Sequence, residues 1–308
     1  MQGNKIAVID LGTTSTKILI SEYKNKSFQE VFRKKYESNL GDGLHESKII
    51  SREAVNKNLQ ILLQINNLLK EYNVGKAKIF STEVLRSAQN SNEVVSQIEQ
   101  GSGLPVRVLT HDEESFAFWN GLTSDLECSG LIAGYDVGGG SYQFMYGTKK
   151  ELHGVKLVKK GVNYYLNNFT PNDPPLPQDF DRIEEDVAHD IQDLTICLGK
   201  ETPFIHGSSS VLDFYKEAGY VMTPYKYSLS HPYQLDLSET KRMYYKVRCL
   251  PYEERQKYFP SLPFFMKGTY VGTAIFLKLA EKTGITFELP SNNNIANGLI
   301  YLLAEGLL

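Results

Sequence analysis

The sequence predicts an α/β protein with two lobes that open with the same hairpin. Segments typical of strands alternate with segments of helical periodicity, which is the pattern of α/β lobes. Two segments, beginning at Ile6 and Ile132, also align with each other without a gap. The chain has 308 residues, a length at which two domains are expected rather than one core.

The first lobe is predicted to open with strands at Ile6–Ile9 and Thr16–Ser21 around a tight turn. Apolar residues at helical spacing then predict a helix over Ser51–Tyr72. One more strand is expected before this helix, near Glu30–Tyr36. After the helix we expect strands at Lys78–Ser81 and Val106–Leu109, and helices over much of Val84–Gln100 and over Glu113–Leu122.

The second lobe is predicted to repeat this hairpin with strands at Leu131–Asp136 and Tyr142–Tyr146. In the alignment Asp136 matches Asp10, Gly138 matches Gly12, Ser141 matches Ser15 and Gln143 matches Lys17. Such internal similarity indicates two related lobes. The remaining elements expected here are a loop at Thr170–Pro177, a helix from about Gln178 to Cys197, strands at Phe204–His206 and Thr286–Leu289, and helices over Tyr270–Lys282 and Asn294–Leu307.

The predicted domain boundaries follow from this repeat. Lobe I is expected to comprise residues 1–125 and 297–308, and lobe II residues 126–296.

Composition excludes several classes of protein. The net charge is −3, so there is no general basic surface for nucleic acid, and an anionic ligand must be bound by a few placed groups. Three scattered cysteines favour neither a disulfide framework nor a zinc site. No apolar run approaches the ~20 residues of a membrane helix. Residues 1–5 show no signal-peptide pattern, and together these features predict a cytoplasmic location without membrane partners.

The turns of the two hairpins are the first candidate site. Turns rich in Gly, Ser and Thr can aim successive N–H groups into one concavity that binds phosphate oxygens. Asp10 and Asp136 stand at the strand ends before the turns, where a carboxylate can hold Mg²⁺ directly or through water. Lys17 adds a cation to the first hairpin only. One such turn is usually just a hairpin, but two matched copies favour a phosphate clamped between the lobes.

Two consecutive glutamates, Glu113 and Glu114, are the second candidate. They enter a helix directly after a strand, where acidic residues complement the helix dipole in many proteins without further function. The alternative is that one of them is a general base for an attacking water, kept ionised by the helix N-terminus.

Arg86 is the third candidate. It follows the end of a strand by one helical turn, after Thr82, and an arginine there can face the same cleft. Its planar guanidinium matches phosphate oxygens. The alternative is an ordinary surface arginine.

These motifs together resemble the exopolyphosphatase/guanosine pentaphosphate phosphohydrolase (Ppx/GppA) family, in its short two-domain form. The similarity extends over almost the whole chain and includes the glutamate pair, which distinguishes the family from its ATP-using relatives. The segments that carry it are Asp10–Ser15, Leu40–Leu44, Thr82–Asn90, His111–Gly121 and Asp136–Ser141. The resemblance implies two actin-like (ribonuclease H-like) lobes of the sugar kinase–Hsp70–actin superfamily, with an interdomain cleft.

The resemblance also implies roles for single residues. Glu114 takes the place of the catalytic glutamate that activates water, and Arg86 that of a phosphate-binding catalytic arginine. Asp136, helped by Asp10, takes the place of the aspartate linked to Mg²⁺ or another divalent cation. The phosphate-binding residues are expected to be Gly12, Thr13, Thr14, Ser15, Lys17, Gly138, Gly139, Gly140 and Ser141.

The function implied by the resemblance is Mg²⁺-dependent hydrolysis of the terminal phosphate of inorganic polyphosphate, guanosine pentaphosphate or both. A homodimer is an expectation that rests on the resemblance alone. Two other functions stay open. An ATP-using kinase or ATPase of the same superfamily would need a nucleoside pocket, which Gly207–Ser210 could line. The second open function is that of a protein that binds (p)ppGpp or polyphosphate without catalysis. Gln143 favours it, because the family usually has glutamate at this position.

Overall fold

A computed structural model of the protein describes residues 5–24, 27–170 and 172–308. It consists of two compact units, the first from Met1–Ser124 and Ile295–Leu308 and the second from Asp125–Asn294. The first segment of the first unit ends at residue 124, whereas the sequence predicted residue 125. Its second segment begins at residue 295, whereas the sequence predicted residue 297. No helix within the described ranges is both long enough and apolar enough to cross a membrane.

The first unit contains a five-stranded sheet in the order β3-β2-β1-β4-β5. Strands β1, β2 and β3 are antiparallel neighbours, whereas β4 and β5 run parallel to β1. The bounds are β1 Lys5–Leu11, β2 Ser15–Lys24, β3 Ser27–Glu37, β4 Val74–Ser81 and β5 Val106–Val108.

The second unit repeats this arrangement. Its sheet has the order β10-β11-β12-β9-β6-β7-β8, in which β8-β7-β6-β9-β12 corresponds strand for strand to the first sheet. As in the first unit, the hairpin strands are antiparallel and the next two are parallel to the opening strand. The bounds are β6 Ile132–Val137, β7 Tyr142–Gly147, β8 Leu152–Val158, β9 Phe204–Gly207, β10 Thr223–Pro224, β11 Tyr233–Asp236 and β12 Phe287–Ser291. The predicted α/β class with two lobes that open with the same hairpin is confirmed.

The helices follow the same division between the units. Those of the first unit are α1 Leu44–Ser47, α2 Arg52–Glu71, α3 Glu83–Arg86, α4 Ser91–Ser102 and α5 His111–Thr123. Those of the second are α6 Val162–Asn168, α7 Pro177–Asp190, α8 Val211–Glu217, α9 Leu237–Val247, α10 Tyr252–Arg255 and α11 Thr269–Thr283. The last helix, α12 Ile295–Ala304, returns to the first unit.

Two predicted helices differ from the observed ones for local reasons. The helix expected over Val84–Gln100 is interrupted between α3 and α4, because the Gln89 N–H donates to the Lys48 carbonyl and the Asn90 side chain pairs with the backbone of Ile50. The helix expected to reach Cys197 ends as α7 at Asp190. The β-branched residues that follow it favour helix weakly.

Both faces of the first sheet are covered, as parallel strands require. Along β1, Ala7, Ile9 and Leu11 belong to the cluster formed with α2 and α4. Val8, between them, belongs to the opposite cluster, with residues of α5 and α12. The alternation follows from the two-residue period of a strand.

Gly298 lets α12 lie directly against α5. A Cβ atom at this position would collide with the carbonyl group of Ala117 and lie 2.8 Å from the backbone nitrogen of Gly121. Since these are backbone atoms of a packed helix, they cannot move aside cheaply. Glycine is therefore required where the two helices cross.

We expect Gly298→Ala to lower the free energy of unfolding by about 1–3 kcal/mol, the range for overpacking. Gly272→Ala is the matched control, because it also replaces a helical glycine but its Cβ would meet no atom within 4 Å. That variant should be neutral or stabilised by up to about 1 kcal/mol. Urea unfolding of both variants measures the difference, and equal stabilities would contradict the assigned contact.

Candidate active site

The candidate residues of the first unit lie at one edge of its sheet. The turn at residues 12–14 follows β1, Arg86 follows β4, and the two glutamates follow β5; these are the carboxyl ends of neighbouring parallel strands. Ser81, the last residue of β4, is hydrogen-bonded to the ends of both neighbouring strands. Its hydroxyl donates to the carbonyl of Leu11 in β1 at 2.8 Å, and its carbonyl accepts from the N–H of Leu109, just after β5, at 2.9 Å. Ligands bind at such edges in many α/β proteins.

The first hairpin turn is held by the segment that follows β3. The Gly41 N–H donates to the Thr13 carbonyl at 2.9 Å, and the N–H groups of Ser38 and Asn39 both donate to the Thr14 carbonyl at 3.1 Å. A side chain at Gly41 would collide with the methyl group of Thr13. Glycine is therefore needed for this close approach, which explains the Leu40–Leu44 motif.

The second hairpin turn is also held by the segment that follows β8, through carbonyls that lie one aligned position earlier than those held in the first turn. The N–H groups of Val162 and Asn163 donate to the carbonyls of Gly138 and Gly139, both at 3.0 Å. Gly161 precedes them, and a Cβ atom there would lie 2.5 Å from the Gly138 oxygen. Each turn is closed by a backbone hydrogen bond at the same aligned position. The Gly12 N–H donates to the Ser15 carbonyl at 3.0 Å, and the Gly138 N–H donates to the Ser141 carbonyl at 2.9 Å.

The hydrogen bonds to the turn carbonyls leave several N–H groups of the two turns directed away from the segments that hold them. In a trans peptide the carbonyl of one residue and the N–H of the next point in opposite directions. With the carbonyls bound inward, the N–H groups of Thr14, Gly139 and Gly140 face away from the holding segments. Within the described ranges, these amides and that of Thr13 donate to no protein acceptor, and all four residues are exposed. Adjacent free amides of this kind can bind an anion.

Arg86 and Glu114 form an ion pair in the first unit. One terminal nitrogen of Arg86 lies 2.9 Å from Glu114 Oε2 and 3.1 Å from Glu83 Oε2, and the other donates to the Leu109 carbonyl at 2.7 Å. Arg86 is largely shielded and Glu114 is about one third exposed, with side-chain exposures of 19% and 31%. The pair thus joins α3 to the first turn of α5 and holds Glu114 at the sheet edge.

Glu113 has a different role from its neighbour. Its carboxylate accepts from the Thr110 N–H at 2.9 Å, while its own N–H donates to the Thr110 hydroxyl, which forms a capping box at the start of α5. It also pairs with Arg107. The hydrogen bond from Thr110, followed by that from Arg107, lowers the pKa of Glu113 below its usual value. Glu113 therefore stabilises the helix end, and Glu114 is the one of the two that contacts Arg86.

The two aspartates lie opposite different partners. Asp10 faces Lys17 across the first hairpin, and their side chains form an ion pair at 3.1 Å. Asp136 faces Gln143 at the matching position of the second hairpin. In the described residues no group of three or more His, Cys, Asp or Glu side chains could hold a metal ion. Mg²⁺ is commonly bound by one or two carboxylates, waters and the phosphates of a substrate, so each aspartate by itself fits a metal that arrives with phosphate.

The structure thus brings some of the predicted site residues together. Arg86 contacts Glu114, Lys17 contacts Asp10, and each turn begins two residues after its aspartate. The turns belong to different units, and the cleft between them stays a prediction. The sequence included Leu40–Leu44 only as a motif of the resemblance, and neither this segment nor the one at residues 161–163 was predicted to hold a turn. Their glycines, Gly41 and Gly161, were the available signal.

Comparison with known proteins identifies the family. A sequence profile of the Ppx/GppA phosphatase family matches residues 19–281, most of the chain. The chain belongs to this family. Among solved structures, the Ppx/GppA family member of Aquifex aeolicus has a TM-score of 0.86 and 21% identity, covering 98% of both chains. An exopolyphosphatase from Cytophaga hutchinsonii has a TM-score of 0.75 and 20% identity, with 98% of both chains covered. These likenesses show that this Ppx/GppA protein has the family fold.

The match to curated relatives covers only part of the length of those proteins. A Haemophilus influenzae protein whose name includes exopolyphosphatase is 24% identical over 190 residues, which are 62% of this chain and 59% of that protein. A guanosine-5'-triphosphate,3'-diphosphate pyrophosphatase from Vibrio campbellii is 28% identical over 196 residues, 64% of this chain and 39% of that protein. The chain therefore matches between about two fifths and three fifths of these relatives.

We expect Glu113→Gln to lower the free energy of unfolding by about 0.3–1 kcal/mol at neutral pH, because glutamine keeps the capping acceptor but loses the charge that pairs with Arg107 and with the helix N-terminus. Because the pKa of Glu113 is depressed in the folded protein, its contribution is present above the unfolded value of 4.5 and is lost as pH falls through the folded value. The difference from wild type should therefore shrink below pH 4.5. Thermal unfolding across this range measures it, and a difference that grows on acidification would contradict the capping role.

Proposed function

We propose that this protein is a phosphohydrolase that removes the terminal phosphate from inorganic polyphosphate, guanosine pentaphosphate or both. The observation that carries the proposal is the pair of matched turns with outward amides, each next to an aspartate at a strand end. Family membership supports it, because the curated relatives are named for hydrolysis of these phosphoric anhydrides.

The turns bind the anionic substrate in this mechanism. The amides of Thr13 and Thr14, and those of Gly139 and Gly140, donate to phosphate oxygens. Since the carbonyls of Thr13, Gly138 and Gly139 are already held by neighbouring segments, the amides of Thr14, Gly139 and Gly140 need no rearrangement when charge develops on the phosphoryl group. Arg86 lies beside Glu114 and adds a positive charge that favours the phosphate end.

Glu114 is the proposed general base. It accepts a proton from a water molecule as the water oxygen bonds to the terminal phosphorus, and the bond from phosphorus to the bridging oxygen breaks. The products are inorganic phosphate and a chain shorter by one phosphoryl group. Arg86 fixes the direction of the carboxylate through the 2.9 Å ion pair. Mg²⁺, held by Asp136 with Asp10 and by the substrate phosphates, would neutralise part of the phosphate charge when bound.

We expect Glu114→Gln to lower the rate of phosphate release from polyphosphate by about 10²–10⁴-fold, the usual contribution of a positioned base. Binding of a phosphate ligand, followed by calorimetry, should be retained because the amide has nearly the same shape. Glu113→Gln is the matched control and should keep turnover near wild type at neutral pH, since that residue caps α5. Wild-type turnover in Glu114→Gln, or an equal loss in Glu113→Gln, would refute the assignment.

We expect phosphate release to stop in excess chelator and to return when Mg²⁺ is added. Asp136→Asn should raise the Mg²⁺ concentration at half-maximal rate by about 10–100-fold, the cost typical of losing a group that supports a metal through water. Asp181→Asn, an exposed position on α7, is the control. An unchanged Mg²⁺ dependence in Asp136→Asn would rule out its role.

A second candidate is a protein that binds (p)ppGpp or polyphosphate without hydrolysing it. The observation that favours it is Gln143, which lies directly opposite Asp136 and carries no charge for a metal or water. Tight binding with no phosphate release at any divalent metal would decide for this function. Release from ATP alone, in the same assay, would instead indicate an ATP-using enzyme.

A further inference from the structure

A lysine directly before the segment that holds the second turn pairs with two carboxylates. Lys160 lies between the end of β8 and Gly161–Asn163, the second holding segment, whose amides bind the carbonyls of that turn. Its Nζ atom lies 2.9 Å from Asp186 Oδ2 and 2.9 Å from Asp190 Oδ1, and both aspartates belong to α7. The mechanism proposed above does not use these three side chains.

Asp186 is bound from both sides of the second holding segment. The Tyr165 hydroxyl, on α6, donates to Asp186 Oδ2 at 3.1 Å, while Lys160 pairs with the same carboxylate. Tyr165 is completely buried. Burial, and next the neighbouring Tyr142 and Asp186, raise the pKa of Tyr165, so its phenol stays protonated and donates. Since residues 160 and 165 stand before and after the segment, one carboxylate fixes both of its ends against α7.

Lys160 also separates two like charges. Asp186 and Asp190 are one helical turn apart on α7, a spacing at which like charges repel each other. Burial alone would lower the pKa of Lys160, but the hydrogen bonds with Asp190 and Asp186 outweigh it and hold the pKa above its usual value. The lysine therefore stays charged between the two carboxylates. The side chains of Lys160, Asp186 and Asp190 are 25%, 21% and 14% exposed, so salt screens their pairing less than that of fully exposed ions.

The first unit anchors its own holding segment from a helix at the same place in the repeat. Both α2 and α7 lie between the third and fourth strands of their units. On α2 the Asn58 side chain donates to the Ser38 carbonyl at 3.4 Å and accepts from the Thr16 hydroxyl at 2.8 Å. The N–H of Ser38 is one of those that hold the Thr14 carbonyl. Each holding segment is thus bound to a helix, by neutral groups in the first unit and by charges in the second.

We propose that Lys160 is a positioning residue for phosphate binding at the second turn. Paired with Asp186 and Asp190, it keeps the second holding segment in place, and that segment keeps the amides of Gly139 and Gly140 directed towards the substrate. The inference rests on the proposed function for the presence of the phosphate. It goes further by naming the side chains that control how firmly this turn binds.

Lys160→Met is the test variant, because methionine keeps an unbranched side chain and removes the charge. Lys156→Met is the matched control. Lys156 also pairs with an aspartate, Asp193, at 2.7 Å, and its side chain has the same 25% exposure, but it lies within β8 and does not adjoin the holding segment. Lys160→Arg is the rescue variant, since a guanidinium can donate to both carboxylates.

Hydrogen exchange of a peptide that covers residues 161–165, followed by mass spectrometry, reports on the anchor without any substrate. We expect exchange to be about 3–10-fold faster in Lys160→Met, the size of effect when a partly shielded ion pair is lost. Lys160→Arg and Lys156→Met should exchange at the wild-type rate in this peptide. Peptides of the first unit are the internal reference, because a general loss of stability would speed their exchange as well.

Binding of inorganic tripolyphosphate, measured by calorimetry in chelator, reports on the consequence for the ligand. We expect the affinity to fall by about 3–10-fold in Lys160→Met and to stay near wild type in Lys156→Met and Lys160→Arg. The double variant Lys160→Met/Asp186→Asn should bind like Lys160→Met, because both substitutions break one contact. A purely long-range effect of the lost positive charge would instead be reversed when the negative charge of Asp186 is also removed.

Two results overturn the inference. One is exchange at the second holding segment that Lys160→Met leaves unchanged or that Lys156→Met speeds equally. The other is tripolyphosphate binding by wild type that Lys160→Met does not weaken or that Asp186→Asn restores. Faster exchange in Lys160→Met together with no tripolyphosphate binding by wild type would leave the anchor standing and refute the proposed function instead.

Discussion

The hydrogen bonds that hold the peptide carbonyls of the two hairpin turns determine how the rest of the structure can act. An exposed turn would ordinarily present carbonyls as well as amides to solvent, and carbonyls repel phosphate. Here Gly41 and its neighbours bind the carbonyls of the first turn, and Val162 and Asn163 bind those of the second. The amides of Thr14, Gly139 and Gly140 are therefore directed away from the holding segments, already in position to receive negative charge.

The duplication of this protein therefore includes more than a hairpin. In each unit the chain leaves the third strand, β3 or β8, and immediately returns to hold the turn between the first two strands. The identities of the holding segments differ, a turn in one unit and the start of α6 in the other. In each unit they bind two successive carbonyls of the turn, one aligned position earlier in the second unit than in the first, so the repeat is preserved in its backbone hydrogen bonding only in outline.

The sequence was sufficient for features that depend on neighbouring residues. The ungapped match of Asp10 with Asp136 predicted both hairpins, and the Thr110-x-x-Glu113 spacing could have identified the capping box that separates the roles of the two glutamates. It was insufficient where distant segments meet. His206 and Glu288 come together only because β9 and β12 are adjacent strands, and no spacing in the chain relates them. The breaks after Arg86 and Asp190 were missed because tertiary contacts and β-branching override helical periodicity.

The packing of α12 on α5 at Gly298 has a consequence for biosynthesis. The helix that carries Glu114 is completed by residues made some 170 positions later, after the whole contiguous second unit has been synthesised. On the ribosome the second unit can therefore fold first, while α5 still lacks a partner on one face. The side of α5 that carries Ala117 and Gly121 is therefore covered only after residues 295–304 have been made.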